Sequence, residues 1–166
     1  MDISGIVRED DPEGVWVTVK RKVVIVDLDG TLCNTVWRDE HARHRRWDDF
    51  HAGIPQDEPF PHMLFLLRAL ANHRAHLLFI TARPFTYHEQ TQEWLRRVAL
   101  LTNYTLLMRA PGDLRRASVV KSELLDKYLE SRPDDEVLFA LEDHAPVVAM
   151  WRGRGVPCFH VTDARD

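Results

Sequence analysis

Cysteine is scarce in this chain and long apolar runs are missing. Its 166 residues hold two cysteines, Cys33 and Cys158, far apart and without the spacing of a metal site. No apolar stretch of about 18 residues occurs and no cleavable leader is legible, so neither membrane attachment nor export is expected. Positive charge is not in excess either. With 26 acidic against 22 basic residues, the formal charge of -4 gives no global attraction to nucleic acid or anionic lipid, and any such contact must be a local patch. Internal repeats and low-complexity tracts are also lacking. These absences leave a soluble protein of a reducing cytoplasm, a single domain over residues 1–166, long enough to bury roughly two-thirds of its unfolded surface.

What the chain does have is an alternation of apolar runs with amphipathic segments, the pattern of repeated β-α units around a mostly parallel sheet. Five strands are expected at 23–27, 76–81, 104–108, 136–141 and 156–161. Helical periodicity marks 61–73, 86–101, 119–130 and 145–153. Right-handed crossovers then give an α/β three-layer sandwich with a central five-stranded sheet. Ahead of it, Asp10, Asp11, Pro12 and Gly14 read as a flexible start, and the alternation over 15–19 as an edge strand. Pro111-Gly112 and Arg132-Pro133 read as turns. Trp94, Trp151, Phe65 and Phe79 are assigned to the core.

Residues 33–60 break the pattern. They carry Arg38, His41, Arg43, His44, Arg45, Arg46 and Trp47 without a clear apolar stripe, and they are too long for an ordinary βα loop. They read as a small insertion beside the ligand crevice, too short for a separate lid domain. Two readings of its basic side chains stand: a solvated helix face, or a patch tracking a nucleic-acid backbone with Trp37 or Trp47 as a stacking surface. His41 and His44 lack nearby ligands arranged for zinc.

The chemistry concentrates at strand ends. After the buried run Val23-Val24-Ile25-Val26 comes Asp27-Leu28-Asp29-Gly30-Thr31, two carboxylates leaving a rigid strand in a sharp turn, at the edge where open α/β sheets bind ligands. A nucleophile and a proton donor for phosphate-ester hydrolysis could come from this turn. Carboxylates packed so closely call for a divalent cation, with Mg²⁺ the natural choice for oxygen ligands. A second strand run, 137–141, ends in Glu142-Asp143. A third ends in Thr81-Ala82-Arg83-Pro84, offering a hydroxyl, backbone N–H groups and a guanidinium to a phosphate. Lys121, in the first turn of a helix that Ser118 could cap, offers an ammonium.

Taken together, these motifs resemble the haloacid dehalogenase superfamily of phosphohydrolases, whose four motifs occur here in order: DLDGT at 27–31, Thr81, Lys121, and Glu142-Asp143. The resemblance implies that Asp27 is the nucleophile forming an aspartyl-phosphate and that Asp29 is general acid, then base. It makes Asp27, the backbone carbonyl of Asp29 and Asp143 ligands of Mg²⁺, with Glu142 behind them. Thr81 and Lys121 would neutralise and orient the transferring group. Further strings are similar to the phosphatase domain of phage polynucleotide kinase-phosphatases: Thr81-Ala82-Arg83, Met108-Arg109, Gly112-Asp113, Arg115, Val120-Lys121, Glu123 and 147–158. Two positions depart from that pattern, Ala117-Ser118 where acids are usual and Glu142 for the first of two aspartates. This likeness implies a small cap, and Gly30, Thr31, Ala82, Arg83, Arg109 and Arg115 around the substrate.

The resemblance further implies removal of 3′-phosphates from DNA or RNA ends or nucleotides. No Walker-type glycine-rich lysine motif occurs, so the resemblance implies a phosphatase acting alone or beside a separate kinase or ligase. The alternatives are a small-molecule phosphatase or nucleotidase, and a non-catalytic binding module of nucleic-acid repair.

Overall fold

The computed structural model describes residues 20–99 and 103–161. Among them, seven strands and six α-helices follow in the order β1 (Lys22–Val26), β2 (Cys33–Asn34), α1 (Asp39–Arg43), α2 (Trp47–Ala52), β3 (Glu58–Pro59), α3 (Pro61–Asn72), β4 (His76–Pro84), α4 (His88–Trp94), β5 (Tyr104–Arg109), α5 (Ala117–Ser131), β6 (Glu136–Glu142), α6 (Ala145–Gly153) and β7 (Cys158–His160). All five expected core strands and all four expected helices are present. The segment read as a helix over 86–101 is shorter, since α4 passes into a π-helical turn at Leu95–Ala99. The alternating stretch over 15–19 lies outside the described residues.

The main sheet has the order β5-β4-β1-β6-β7, and every pairing in it is parallel. Its centre is β1, whose Val23, Val24, Ile25 and Val26 are each at most 1% exposed. Side chains alternate between faces along a strand. Val24 and Val26 therefore join Leu77, Phe79 and Leu141 against Met63 and Leu67 of α3 and Trp94 of α4. On the opposite face, Val23 and Ile25 join Leu78, Ile80 and Ala140 against Leu125 of α5 and Val147 and Trp151 of α6. Burial on both faces explains why β1 reads as an unbroken β-branched run. No helix among the described residues is long and apolar enough to cross a membrane.

Three expectations need correction. Phe65 is 77% exposed, because α3 turns Met63 and Leu67 to the sheet and leaves Phe65 on the outer face. Ser118 does not cap α5. That helix begins at Ala117 with Arg116 at the cap position and no side-chain cap, which puts Ser118 inside the first turn. Residues 33–60 are more ordered than their composition suggests. The antiparallel pair β2–β3 closes their base, and Arg38, just before α1, bonds both Asp29 beyond the end of β1 and the Phe50 carbonyl of α2. The segment is tied down by Tyr87 Oη donating to Asp48 Oδ1 (2.9 Å), Arg97 Nη2 donating to the Pro55 carbonyl (2.7 Å) and Trp94 Nε1 donating to the Asp57 carbonyl (2.9 Å).

The two faces of α3 make a stability contrast. Leu67→Ala should destabilise the protein by about 2–5 kcal/mol in urea unfolding, as a fully buried leucine does. Phe65→Ala should stay within about 0.5 kcal/mol.

Candidate active site

The acidic turn is built by backbone before any side chain acts. Asp27 N–H donates to the Leu141 carbonyl at 3.0 Å, locking the end of β1 to β6. The Leu28 carbonyl then accepts N–H groups from Thr31, Leu32 and Cys33. Gly30 sits at φ 81°, a conformation that side-chain-bearing residues rarely adopt. Asp27 and Asp29 therefore leave the strand in different directions and enter different charge environments.

Asp27 faces Lys121. The lysine Nζ donates to Asp27 Oδ1 and to Glu142 Oε2, at 2.6 Å each. All three side chains are buried, and Lys121 is 2% exposed. Burial alone would discharge the ammonium, but the carboxylates of Asp27 and Glu142 overcome it and hold the lysine firmly protonated. Glu142 Oε1 also accepts the His144 N–H at 3.2 Å, so both its oxygens are engaged. Asp143 is steadied by the Thr31 hydroxyl, which donates to Oδ1 at 3.3 Å.

Asp27, Glu142 and Asp143 present carboxylate oxygens within 4.8 Å of one another. One ammonium among three carboxylates leaves the cluster negative. Burial, followed by the charge of Asp27, pushes Glu142 up to about 8 and Asp143 up to about 7. A hard, all-oxygen donor set with uncompensated negative charge fits a divalent metal ion. A second acidic group, Asp29, Cys33 and Asp57, has its carboxylates already neutralised by arginine.

That neutralisation is the least anticipated feature of the site. Arg83 grips Asp29 with two bonds, Nε to Oδ2 at 2.9 Å and Nη2 to Oδ1 at 2.6 Å. Arg38 reaches the same Oδ1 at 2.7 Å and binds both oxygens of Asp57, at 2.7 Å through Nε and 2.5 Å through Nη2. A third bond from Arg38 goes to the Phe50 carbonyl at 2.8 Å, and its guanidinium lies 3.9 Å above the Phe50 ring. Both arginines are at most 1% exposed. Burial pushes the Asp29 carboxyl up, yet Arg83 and then Arg38 outweigh it and hold the group well below the usual carboxylate range. Gly53 makes room for this packing: a Cβ there would fall 2.7 Å from the Trp37 ring and 2.8 Å from Arg38 Cδ.

The sequence-derived residues thus separate into two groups. Asp27, Lys121, Glu142, Asp143 and Thr31 converge on one point, and Thr81, 1% exposed, lies three residues before the end of β4, the strand that pairs with β1, with its Oγ1 accepting the Arg83 N–H at 3.2 Å. Arg83, expected to meet a phosphate, lines the cavity next to the turn while its strongest bonds go to Asp29. Ala82, Arg109 and Arg115 line the same cavity. Arg109 meanwhile binds the carbonyls of Ala82, Asp113 and Arg115, and Arg115 pairs with Asp113 and Glu123, so both hold the β5–α5 loop in shape.

Neither reading of the insertion's basic side chains fits Arg38, which is fully buried under Asp29. Arg43, Arg45 and Arg46 remain exposed. Sequence reasoning missed Arg38, Asp57 and His51. Arg38 and Asp57 look like members of a polar loop until the fold brings them together, and no spacing signals their pairing.

An open parallel sheet with an acidic turn after its central strand, a lysine bridging to the next acidic strand end and a threonine from the third defines a haloacid dehalogenase-type phosphohydrolase. The family Polynucleotide kinase PNKP phosphatase domain matches residues 21–165, and the chain belongs to it. A protein of Autographa californica nuclear polyhedrosis virus, designated a bifunctional polynucleotide kinase/RNA ligase, is 26% identical over 82% of this chain. A chain of the Pnkp1/Rnl/Hen1 RNA repair complex superposes with a TM-score of 0.73 at 26% identity over 100% of this chain. This protein spans only 18% of the viral relative and 48% of the repair-complex chain. The Class C acid phosphatase from Bacillus anthracis shares the fold, with a TM-score of 0.60 and 14% identity over 90% of this chain and 69% of that one.

Two measurements follow from these charges. Arg38→Met removes both short bonds to the buried Asp57, leaving it the 3.2 Å contact from Arg83, and should cost about 3–5 kcal/mol in urea unfolding, far beyond an exposed Arg45→Met. The raised Glu142 and Asp143 carboxyls hold protons in the folded chain that the unfolded chain has lost. Between their ordinary values and about 8 they therefore remove stability as pH rises. A divalent cation binds their ionised forms and cancels that loss. The increase in Tm on adding Mn²⁺ should be larger at pH 8 than at pH 6, and Asp143→Asn should abolish the difference.

Proposed function

We propose that this domain hydrolyses phosphomonoesters at the 3′ ends of polynucleotides through an aspartyl-phosphate on Asp27, with Mg²⁺ as its cation. The observation that carries the reading is the division of labour within one turn. Asp27 is paired with a buried ammonium and free to approach phosphorus, whereas Asp29 is clamped two residues away. The match to a polynucleotide kinase phosphatase domain supports the choice of substrate.

In this mechanism an Asp27 oxygen attacks phosphorus as the bond to the 3′-oxygen breaks. Lys121 and the Thr81 hydroxyl stabilise the phosphoryl oxygens as charge builds on them. Mg²⁺, held by Asp27, Asp143 and the Asp29 carbonyl with Glu142 behind, would add positive charge on the same oxygens. Asp29 begins as a carboxylate. Docking of an anionic phosphate beside it adds like charge and draws on the Arg83 donors, and both effects raise its affinity for a proton. The protonated carboxyl then gives that proton to the departing 3′-oxygen. Once the alcohol has left, Arg83 and Arg38 favour the carboxylate, which takes a proton from the water that attacks phosphorus and releases Asp27.

The viral relative named for kinase and ligase activities supports a role beside such enzymes; we place the chain in a reducing cytoplasm and read it as one domain, with polymer 3′ ends as its substrate.

The test is a panel of 3′-phosphorylated oligonucleotide, 5′-phosphorylated oligonucleotide and mononucleotide, each with and without Mg²⁺. Only the first should turn over efficiently, and only with metal. Asp27→Asn should abolish turnover, and Asp29→Asn should lower kcat by about 10²–10⁴-fold. Hydrolysis of mononucleotides with oligonucleotide ends left intact would overturn the assignment.

A further inference from the structure

A cavity of about 430 Å³ opens beside Asp29 and Arg83, between α2 and the loop that joins β5 to α5. Its size falls in the roughly 300–1,000 Å³ range of small-ligand sites. Trp47, half exposed, and Leu114, almost wholly exposed, stand at its walls as large apolar surfaces. His51 lines it too but is 7% exposed, set among the rings of Tyr87 at 4.8 Å, Phe50 at 5.3 Å and Trp47 at 6.5 Å. No hydrogen bond reaches this imidazole from the described residues. Its Nδ1 is enclosed without a partner, which leaves Nε2 as the ring atom open to a ligand. Burial foremost, helped by Arg83 and Arg38 against the pull of Asp29, holds His51 down to about 4, so the ring is neutral.

Nδ1 is enclosed, so a ligand in the cavity can reach only Nε2, which has no partner among the described residues and is the atom a ligand would satisfy. We infer that the cavity receives the terminal nucleoside of a 3′-phosphorylated RNA, with the base against Trp47 and the ribose 2′-hydroxyl hydrogen-bonded to His51. This deepens the 3′-phosphatase reading above and rests on it. In a 3′-phosphomonoester the leaving oxygen must lie at Asp29, and the hydroxyl on the adjacent carbon then lies toward the cavity that His51 and Asp29 share. A hydroxyl donates and accepts, so it satisfies either tautomer of a neutral imidazole. A neutral ring also leaves the phosphate to the cations. Deoxyribose puts a hydrogen at that position, and Nε2 of His51 stays unpaired.

The experiment compares matched 3′-phosphorylated oligoribonucleotides and oligodeoxynucleotides with the wild-type protein, His51→Phe, His51→Gln and Trp47→Ala. The wild type should favour the ribose substrate in kcat/KM by roughly 5- to 10-fold, the worth of one neutral hydrogen bond. His51→Phe, which keeps the aromatic packing, should bring the ratio to about one, and His51→Gln should restore part of it. Trp47→Ala should raise KM by roughly tenfold for both sugars. Equal wild-type rates on RNA and DNA, or an unchanged ratio in His51→Phe, would overturn the ribose contact and leave the 3′-phosphatase reading standing. Failure of the wild type on both polymers would overturn the two together. If His51→Phe does not fold, as read by thermal melting, the wild-type ratio and His51→Gln decide.

Discussion

The rest of the site depends on the neutralisation of buried carboxylates in place by cations that the fold brings from elsewhere. Five acidic side chains gather at the carboxyl edge of the sheet: Asp27, Asp29, Asp57, Glu142 and Asp143. Desolvated charges of one sign cannot be packed so closely unless each meets a partner with good geometry. Lys121 answers two of them from α5, and Arg83 and Arg38 answer two more from β4 and the insertion. What these three cations leave unbalanced is concentrated at Glu142 and Asp143, whose raised proton affinity marks where a metal ion fits. The position of the metal site is thus a remainder of charge as much as an arrangement of ligands.

This accounting separates two aspartates that the sequence presents as near equals. Asp27 shares a single ammonium with Glu142 and remains next to the acidic cluster. Asp29 is held from two sides by planar guanidiniums, which fix its orientation as well as its charge. A carboxylate so strongly held is a poor proton donor until an incoming anion weakens the hold. In the proposed cycle, proton donation is therefore tied to substrate binding.

The fold was legible because its signals are local and redundant. Val23 to Val26 reads as a doubly buried strand and is one, and the runs over 76–81 and 136–141 lead into polar residues that line the site, Arg83 and Glu142-Asp143. The convergence of Asp27, Lys121 and Asp143 was legible because strand and helix ends carry position in their spacing. Phe65 was misplaced because α3 is rich in apolar residues on more than one side, and composition there does not show which face meets the sheet. Arg38 was misread for a related reason. Among several arginines and histidines in a polar loop, only tertiary contact with Asp29 and Asp57 distinguishes the one that is buried. His51 gave no signal at all, since its significance lies in the partners it lacks.

The anchoring of the insertion bears on how the site works over time. Arg38 joins it to the catalytic turn, Trp94 and Arg97 join it to the helix after β4, and Tyr87 holds its second helix. Swinging it outward would break the two ion pairs that cross from it to the sheet, Arg38 with Asp29 and Asp57 with Arg83, and leave the Arg38–Asp57 and Arg83–Asp29 pairs within the separated parts. A cap fastened in this way loses several hydrogen bonds and two ion pairs whenever it lifts. The cavity beside Trp47 then belongs to the same packed unit as the acidic turn, and under the proposed reading a strand end would enter a pocket already formed.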